Sequence, residues 1–461
     1  MSRFDYDWVK PFKEDDGLRK CENCPKGCCW EECSLDNVYE KVTEKAPESV
    51  KPVYRAICDS LKQGRNIFLT AAAGAGKSYL LNAIREEVPT LTVTASTGVA
   101  ALNVGGATLH STLCIGIANR TPEQQVTKLR PYNAQFLQDL KFLAIDEVSM
   151  ISGELLDYCN RFLKLVRQNN EPFGGVQVIL IGDFCQLPPV NTKGYYDFCF
   201  FSDTWRELNL ETFYLTHNFR QEEDPAYADF LKNLRAGVLT SEGHELLKSR
   251  TVEEIPKEIP ILFATNKEVF DLNVKKLAEL PSKKYTFRAR FESPTLEKYP
   301  DVFKTVKDNF IKSTIMEEEL VLCEGARIML LKNMDINQGL VNGTLGYIKQ
   351  VSYDEIVIVT DDEIETKVPL HKVQTHDKEG KVLMEMTQYP LKLAYAITTH
   401  KSQGATLEKV FIDFNKFFEV NQAYVALSRV KKSKGLFLKN YNPCVFSFAQ
   451  AVLEFYKSIE K

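Results

Sequence analysis

One short segment, residues 66–78, constrains the fold of this chain more than any other. It reads Asn-Ile-Phe-Leu-Thr-Ala-Ala-Ala-Gly-Ala-Gly-Lys-Ser, an apolar run that passes into a loop of small residues. A strand, a small-residue loop and a helix in this order direct backbone N–H groups at phosphates. In such loops a lysine like Lys77 contacts the β- and γ-phosphates, and a hydroxyl like that of Ser78 binds Mg²⁺. The segment therefore predicts a nucleotide-binding loop.

One residue departs from the usual pattern of such loops. The consensus has glycine five positions before Gly76, where this chain has Ala71. If position 71 requires a positive φ, alanine costs about 1 kcal/mol there. A cost of that size is tolerable, so the loop is still expected to bind nucleotide.

Apolar runs of strand length recur along the chain and predict an α/β fold. In the first half they occupy residues 67–70, 91–94, 142–145, 178–181 and 213–215. Runs that are apolar throughout are typical of strands buried on both faces of a parallel sheet, and helical patterns separate them here. The second half repeats the pattern at residues 261–264, 394–398, 410–413 and 435–438. We therefore expect ligands at the carboxyl ends of these strands.

Two regions have a different character. Residues 278–390 are rich in Lys and Glu, with short strand-like runs at 327–331 and 356–360, and predict a small all-β insertion. Residues 1–45 are charged, Cys-rich and weakly periodic, which indicates an appendage. We therefore predict four units: the appendage at 1–45, the first α/β domain at 46–212, the second at 213–277 with 391–461, and the insertion at 278–390.

The bulk composition limits the classes of function. The length of 461 residues is enough for about three domains. The sequence lacks a long apolar run and a signal-like N-terminus, so we expect an intracellular protein without a membrane span, in a bacterial cytoplasm or a phage- or virus-infected cell, or in a nucleus or mitochondrion. A net charge of −4 argues against coating of nucleic acid by bulk attraction, but it allows a locally basic groove.

Five of the twelve cysteines crowd into residues 21–33. Cys21, Cys24, Cys29 and Cys33 have a spacing close to that of a zinc knuckle, with cysteine in the usual histidine position, and four thiolates can close a tetrahedral zinc site. An iron–sulfur cluster and a flexible thiol-rich tail remain as alternatives. The other seven cysteines are scattered and are predicted to be small buried hydrophobes.

Acidic and amide side chains follow two of the predicted strands. Asp146 and Glu147 follow the run at 142–145, and Gln186 follows the run at 178–181. Phosphate hydrolysis needs one acid that holds Mg²⁺ and another that activates the attacking water. We assign the first role to Asp146 and the second to Glu147, and we predict that Gln186 senses the γ-phosphate.

Two arginines are candidates for stabilising the transferring phosphate. Arg220 lies in Asn218-Phe-Arg-Gln221, and Arg429 ends a helical stretch at 422–429. The planar guanidinium group neutralises negative charge as it develops. If both side chains come from a second domain, hydrolysis depends on domain closure. The alternative for each is an ordinary surface ion pair.

Taken in order, these segments resemble the motifs of superfamily-one DNA helicases, and in particular those of the Pif family, which works 5′-to-3′. The resemblance covers about residues 47–440. It rests on residues 73–78, 94–101, 106–111, 145–150, 182–190, 218–221, 400–404 and 424–429, with a family signature at 162–167 and 173–175.

The resemblance implies two RecA-like domains with ATP between them. It also implies a small wedge in the first domain near residues 99–111 and an SH3-like insertion in the second. Single-stranded DNA would cross both domains, with contacts that are indifferent to sequence and weaken with salt. The implied DNA-binding residues are Thr97, His110, Asn266, His400 and Lys401. The implied nucleotide-binding residues are Ala72, Ala73, Gly74, Ala75, Gly76, Lys77, Ser78, Tyr79 and Gly404.

The sequence thus predicts an ATP- and Mg²⁺-dependent helicase that acts as a monomer on single strands and single/double-strand junctions, in replication, repair or genome maintenance. Two other classes remain: a nucleic-acid-binding protein that ATP only switches, and a ring-forming ATPase that takes its arginine from a neighbouring subunit. Tyr54 stands where the family often has a glutamine that reads adenine. A tyrosine can stack on a base but does not read its edges, which removes the usual basis for strict ATP preference.

Overall fold

The computed structural model describes residues 49–459, except 117, 119, 191–194, 255–258, 264, 297, 315, 333, 336, 337, 339, 341, 342, 377–381, 400, 401 and 418. The predicted appendage, with its candidate ligands Cys21, Cys24, Cys29 and Cys33, lies outside the described residues. So do His400 and Lys401. Within the described ranges, no helix has both the length and the apolar character that crossing a membrane requires.

Strands and helices alternate through the first part of the chain. The strands are β1 (Ile67–Ala71), β2 (Leu91–Ala95), β3 (Ala107–Thr108), β4 (Phe142–Asp146), β5 (Gln177–Gly182) and β6 (Glu211–Leu215). The helices are α1 (Lys51–Lys62), α2 (Lys77–Glu87), α3 (Gly98–Asn103), α4 (Leu109–Thr112), α5 (Pro122–Val126), α6 (Pro131–Asp139), α7 (Gly153–Arg167) and α8 (Asp203–Glu207).

The six strands form one parallel sheet in the order β3-β2-β4-β5-β1-β6. All five residues of β1 and of β2 are buried, as expected of strands covered on both faces. The five strand predictions in this half are therefore confirmed. The order places β1 between β5 and β6, so the ends of β1 and β5 are adjacent.

The predicted domain limit after residue 212 needs correction. It divides β6, which pairs with β1 from Glu211 to Leu215, so the first sheet continues to residue 215. The strand run at 213–215 was predicted, but local sequence does not say which sheet receives such a strand.

The rest of the chain contains fourteen strands among the described residues. They are β7 (Ile261–Phe263), β8 (Tyr285–Arg288), β9 (Arg290–Glu292), β10 (Glu319–Leu322), β11 (Arg327–Leu330), β12 (Leu345–Val351), β13 (Ile356–Thr360), β14 (Glu365–Lys367), β15 (His371–His376), β16 (Val382–Gln388), β17 (Leu391–Leu393), β18 (Ala396–Thr398), β19 (Val410–Asp413) and β20 (Leu436–Lys439). The helices are α9 (Pro225–Arg235), α10 (Ser241–Ser249), α11 (Asn266–Glu279), α12 (Pro300–Ser313), α13 (Gln422–Leu427) and α14 (Gln450–Ile459).

A second parallel sheet has the order β18-β7-β19-β20. Its strands coincide with the predicted runs within one or two residues, apart from Ala264, which is outside the described residues. Two parallel sheets, each flanked by helices, confirm the predicted α/β class with two RecA-like domains.

Between β7 and β18, the strands of the chain form antiparallel sheets. The largest sheet has the order β14-β13-β12-β11-β17, and two smaller sheets pair β10 with β8 and β15-β16-β9. The prediction of an all-β insertion ending at residue 390 is corrected in two ways. Helix α12 lies inside it, and β17 extends its sheet to Leu393 by pairing with β11. Its SH3-like character stays a prediction, as does the wedge role of residues 99–111, which contain β3 and parts of α3 and α4.

Candidate nucleotide site between the two parallel sheets

The phosphate-type loop connects β1 to α2 through a tight turn. Gly74 and Gly76 adopt left-handed backbone conformations, with φ of 82° and 88°. Only glycine adopts such angles at little cost. A Cβ placed on Gly74 would lie 2.5 Å from the Cβ of Arg220, so the turn also packs closely against the segment that follows β6. The loop is shaped as the sequence predicts.

Ala71 is the last residue of β1 and not part of the turn. It pairs with Leu215, it is buried, and it is not among the described residues with positive φ. An extended backbone accommodates alanine as well as glycine. The conditional cost of Ala71 therefore does not arise, and the departure from the consensus leaves the loop geometry intact.

This placement makes a testable prediction for Ala71→Gly. Because position 71 is extended, glycine should leave the KM for ATP unchanged within about twofold. It should lower the free energy of unfolding by about 0.5–1 kcal/mol, because glycine weakens a strand interior. The measurements are ATP titration of the ATPase rate and denaturant unfolding. Gly74→Ala is the matched control and should impair turnover, and a severalfold lower KM for Ala71→Gly would contradict this account.

Lys77 is the first residue of α2 and folds over the loop. Its Nζ donates to the carbonyl oxygens of Ala71 at 2.8 Å and Ala72 at 3.1 Å. Burial lowers the pKa of the Lys77 ammonium, and nearby carboxylates, that of Asp183 foremost, act in the opposite direction. The cation is thus held beside the loop, where phosphate oxygens can replace the two carbonyls as its acceptors.

Asp146 and Glu147 place two carboxylates at the end of β4. Asp146 is buried, and its Oδ1 accepts a hydrogen bond from the N–H of Glu147 at 2.8 Å. Burial and the Glu147 carboxylate raise the pKa of Asp146 to about 7. Burial also raises the pKa of Glu147, whose Oε2 accepts from Nε2 of Gln403 at 2.8 Å. Adjacent acids in such surroundings need a nearby cation to stay charged together.

Arg429 connects the second sheet to the predicted sensor. It is buried, and its Nη2 donates to Oε1 of Gln186 at 3.4 Å, while its Nε donates to the carbonyl oxygen of Val425 at 2.9 Å. Burial lowers the pKa of the Arg429 guanidinium, and the Glu147 carboxylate opposes this shift. A buried arginine so close to the acidic pair is not a surface ion pair.

Arg220 reaches the second sheet from the first. It lies five residues after β6, and its assignment to the second domain stays a prediction. Its Nη1 donates to the carbonyl oxygen of Ser428 at 2.9 Å, and its Nε donates to Oγ1 of Thr406 at 3.0 Å. Burial, followed by the charge of Arg429, lowers the pKa of Arg220 to about 9. Arg220 therefore joins the two sheets at the site.

One cavity of about 570 Å³ brings these groups together. From the first sheet it is lined by residues 73–79, Glu147, Gln186 and the segment after β6, and from the second by Gly404, Thr406, Arg429 and Lys431. Its size is in the usual range for small-molecule sites. Ala72 and Asp146 do not line it, but each contacts a residue that does, Lys77 and Glu147 respectively.

Several residues of the site were missed by sequence reasoning. Phe219, Glu222 and Glu223 line the cavity beside Arg220, and Thr406 and Lys431 flank the second-sheet side. The only feature of the sequence that could have indicated these residues is that they lie close to a recognised motif. Gln403 was likewise given no role, although it donates to Glu147.

Tyr54, at the position where the family often has a base-reading glutamine, does not line the cavity. Tyr54 lies in α1, is 1% exposed, and hydrogen-bonds through its hydroxyl to the carboxylate of Glu87. It packs in the core with Ile57 and Leu61. The idea that Tyr54 stacks on a nucleotide base is therefore wrong, because the α1 face that carries it is turned toward the first sheet.

The described DNA candidates lie at the carboxyl ends of strands. Thr97 follows β2, and its Oγ1 accepts from the N–H of Ala100 at 3.2 Å at the start of α3. His110 lies in α4 after β3, where burial lowers its pKa. Asn266 begins α11 after β7 and is exposed. Their contact with DNA stays a prediction.

Comparison with known families gives three matches along the chain. Residues 46–243 match the model of the PIF1-like helicase family. Residues 308–351 match that of the DNA helicase Pif1 2B domain, and residues 371–450 match a model described as helicase.

Known proteins match over most of the chain. The ATP-dependent DNA helicase Pif1 of Bdellovibrio bacteriovorus is 34% identical over 419 residues, covering 89% of this chain and 92% of that protein. The human ATP-dependent DNA helicase PIF1 is 35% identical over 428 residues, which is 88% of this chain and 63% of that protein.

Solved structures also match. The Pif1 helicase of Candida albicans is 33% identical with a TM-score of 0.73, covering 88% of this chain and 98% of that chain. Bacteroides Pif1 in complex with ADP-AlF4 is 29% identical with a TM-score of 0.76, covering 90% and 97%.

Proposed function

The chain belongs to the PIF1-like helicase family and is an ATP-dependent DNA helicase, and we propose that it moves 5′-to-3′ along a single DNA strand while it separates a duplex. The shared cavity supports movement driven by ATP, and membership of the family supports the direction. The phosphate loop of the cavity comes from the first sheet, and Gly404, Thr406 and Arg429 come from the second. A nucleotide in such a cavity draws the two sheets together, and hydrolysis releases them.

The residues of the cavity support a separate role for each of them in hydrolysis. Lys77 and the N–H groups of its loop hold the phosphates. Glu147 takes a proton from the attacking water, and Gln186 reports whether the γ-phosphate is present. Arg220 and Arg429 neutralise the charge that develops on the transferring group, since both already lie between the sheets.

The oxygen groups present fit a magnesium ion. Ser78 is the second residue of α2. Asp146 is a buried carboxylate whose raised pKa would fall beside a cation. The described residues contain no cluster of three or more His, Cys, Asp or Glu that could hold a metal alone. That agrees with Mg²⁺, which takes one or two protein ligands with water and phosphate oxygens. When bound, it neutralises the β- and γ-phosphate oxygens.

We further propose that one copy of the chain suffices and that its ligand is single-stranded DNA or a single/double-strand junction. Both arginines of the cavity come from the same chain as the phosphate loop. One solved relative is Bacteroides Pif1 bound to ssDNA. Another solved structure concerns DNA unwinding at forked dsDNA by two coordinating Pif1 helicases. Thr97, His110 and Asn266 are proposed to contact the backbone with His400 and Lys401. The four candidate cysteines remain a proposed zinc site.

Unwinding of tailed duplexes tests the direction. With ATP, a duplex that carries a 5′ single-stranded tail should be separated, and the same duplex with a 3′ tail should not. Separation only from the 3′ tail would reverse the proposed polarity. ATP-dependent binding without separation of either substrate would favour the switch alternative.

A further inference from the structure

Helix α14 returns to the first sheet after the chain has completed the second. Its Phe455 packs against Phe68, Phe184 and Trp205, with ring centroids 6.1, 5.4 and 5.7 Å away. These contacts join α14 to β1 and to the segment after β5. The neighbouring residue of the helix, Tyr456, is buried against the ends of these same strands.

The Tyr456 hydroxyl makes three hydrogen bonds there. It donates to Oδ1 of Asp183 at 3.2 Å and accepts from the N–H of Phe184 at 2.9 Å. Oγ1 of Thr70 lies 2.9 Å away. Because the single phenolic hydrogen goes to Asp183, the Thr70 hydroxyl donates. One donated and two accepted bonds exhaust the capacity of a phenol.

A fifth residue, Arg235, fixes this arrangement. Arg235 of α9 pairs with the Asp183 carboxylate, with Nη2 3.0 Å from Oδ1, and its guanidinium lies 4.5 Å from the centre of the Tyr456 ring. Asp183, Thr70 and Tyr456 are all nearly excluded from solvent. Loss of the hydroxyl would leave polar groups without a partner in a place that water does not reach.

The ends of β1 and β5 that Tyr456 bridges lead into the phosphate loop and into the segment that carries Gln186. Both must face the γ-phosphate for the proposed mechanism to operate. Thr70 lies one residue before Ala71, whose carbonyl holds Lys77. Asp183 lies three residues before Gln186, and its carbonyl oxygen accepts from the Gln186 N–H at 2.8 Å. Thus one hydroxyl from α14 connects the base of the phosphate loop to the base of the sensor segment.

We propose that Tyr456 is a positioning residue for ATP hydrolysis, which sets Gln186 relative to the phosphate loop by bridging the ends of β1 and β5. Helix α14 then contributes a residue on which the geometry of the nucleotide site depends. This inference rests on the proposed role of Gln186. The Phe455 contacts hold the helix in place without the hydroxyl, so Tyr456→Phe removes the bridge and keeps the packing.

The test is a double-mutant cycle on the full chain with Tyr456→Phe and Gln186→Ala. Tyr456→Phe should lower the kcat of DNA-stimulated ATP hydrolysis about tenfold, the equivalent of one buried hydrogen bond, with the KM for ATP within about twofold. The double variant should lose no more than the larger single loss, because both changes remove the same function. Tyr441→Phe, whose hydroxyl instead contacts His244, is the control and should keep its kcat.

The outcomes separate the two claims. If the losses multiply, or if Tyr456→Phe keeps full kcat, the positioning role is overturned and the role of Gln186 stands. If Gln186→Ala alone keeps full kcat, the proposed sensor fails and the inference falls with it. Should Tyr456→Phe not fold, Thr70→Val and Thr70→Ser give the same comparison from the other partner. Valine should lower kcat and serine should preserve it, and equal kcat for the two would contradict the bridge.

Discussion

Glu147→Gln is expected to lower DNA-stimulated ATP hydrolysis by about 10²–10⁴-fold, the usual contribution of a general base. The side chain keeps its shape, and the site loses the group that accepts the proton of water. Burial already raises the pKa of Glu147, so a neutral amide there should not destabilise the fold. The measurements are steady-state ATPase with saturating single-stranded DNA and a thermal unfolding curve.

The control for this prediction comes from the same cavity. Glu222 also lines it, but its side chain is 65% exposed. Glu222→Gln should therefore turn over ATP nearly normally. ATP should still bind to Glu147→Gln, because Lys77 and the loop are unchanged. Comparable turnover by the two variants would remove Glu147 from the proposed mechanism.

Arg429→Lys is expected to lower the same activity by about 10³-fold, as found for arginines that stabilise phosphoryl transfer. Lysine keeps the charge but lacks the planar fork that contacts Gln186, Ser402 and Val425 together. Lys431→Ala is the control, because Lys431 lines the cavity with a side chain that is 44% exposed. Equal activity of the two variants would show that Arg429 is only structural.

Mixing two inactive variants distinguishes a single-chain site from a ring. In a ring, an Arg429→Lys subunit still offers its phosphate loop, and a Lys77→Ala neighbour still offers its arginine, so a mixture regains activity. The cavity described here takes both groups from one chain, so the mixture should stay inactive. Recovery of turnover on mixing would favour the ring alternative.

Sequence reasoning predicted the two parallel sheets well because their strands are buried on both faces. A run such as Ile67–Ala71 is apolar throughout, and that pattern is visible locally. Local sequence does not show which sheet β6 joins, because its pairing with β1 connects residues that are far apart in the chain. The return of α14 to the first sheet was missed for the same reason.

The sequence predicts those residues of the site that lie in motifs with a recognisable chemical role. Lys77, Glu147, Gln186 and Arg429 do meet in one cavity, as their order in the chain indicated. The backbone angle at Ala71 stayed open, and the stacking role of Tyr54 was wrong, because consensus positions do not reveal backbone angles or which face of a helix is buried. Partners that act through hydrogen bonds, such as Gln403 and Tyr456, carry no local signal.

The most direct test of the account is ATP-dependent separation of a 5′-tailed duplex by the unmodified protein and by Glu147→Gln, side by side and at equal single-strand occupancy. The account predicts that the unmodified protein separates the strands and that the variant binds the tail without separating them. Strand separation by Glu147→Gln at the normal rate would contradict the claim that hydrolysis in this cavity drives unwinding.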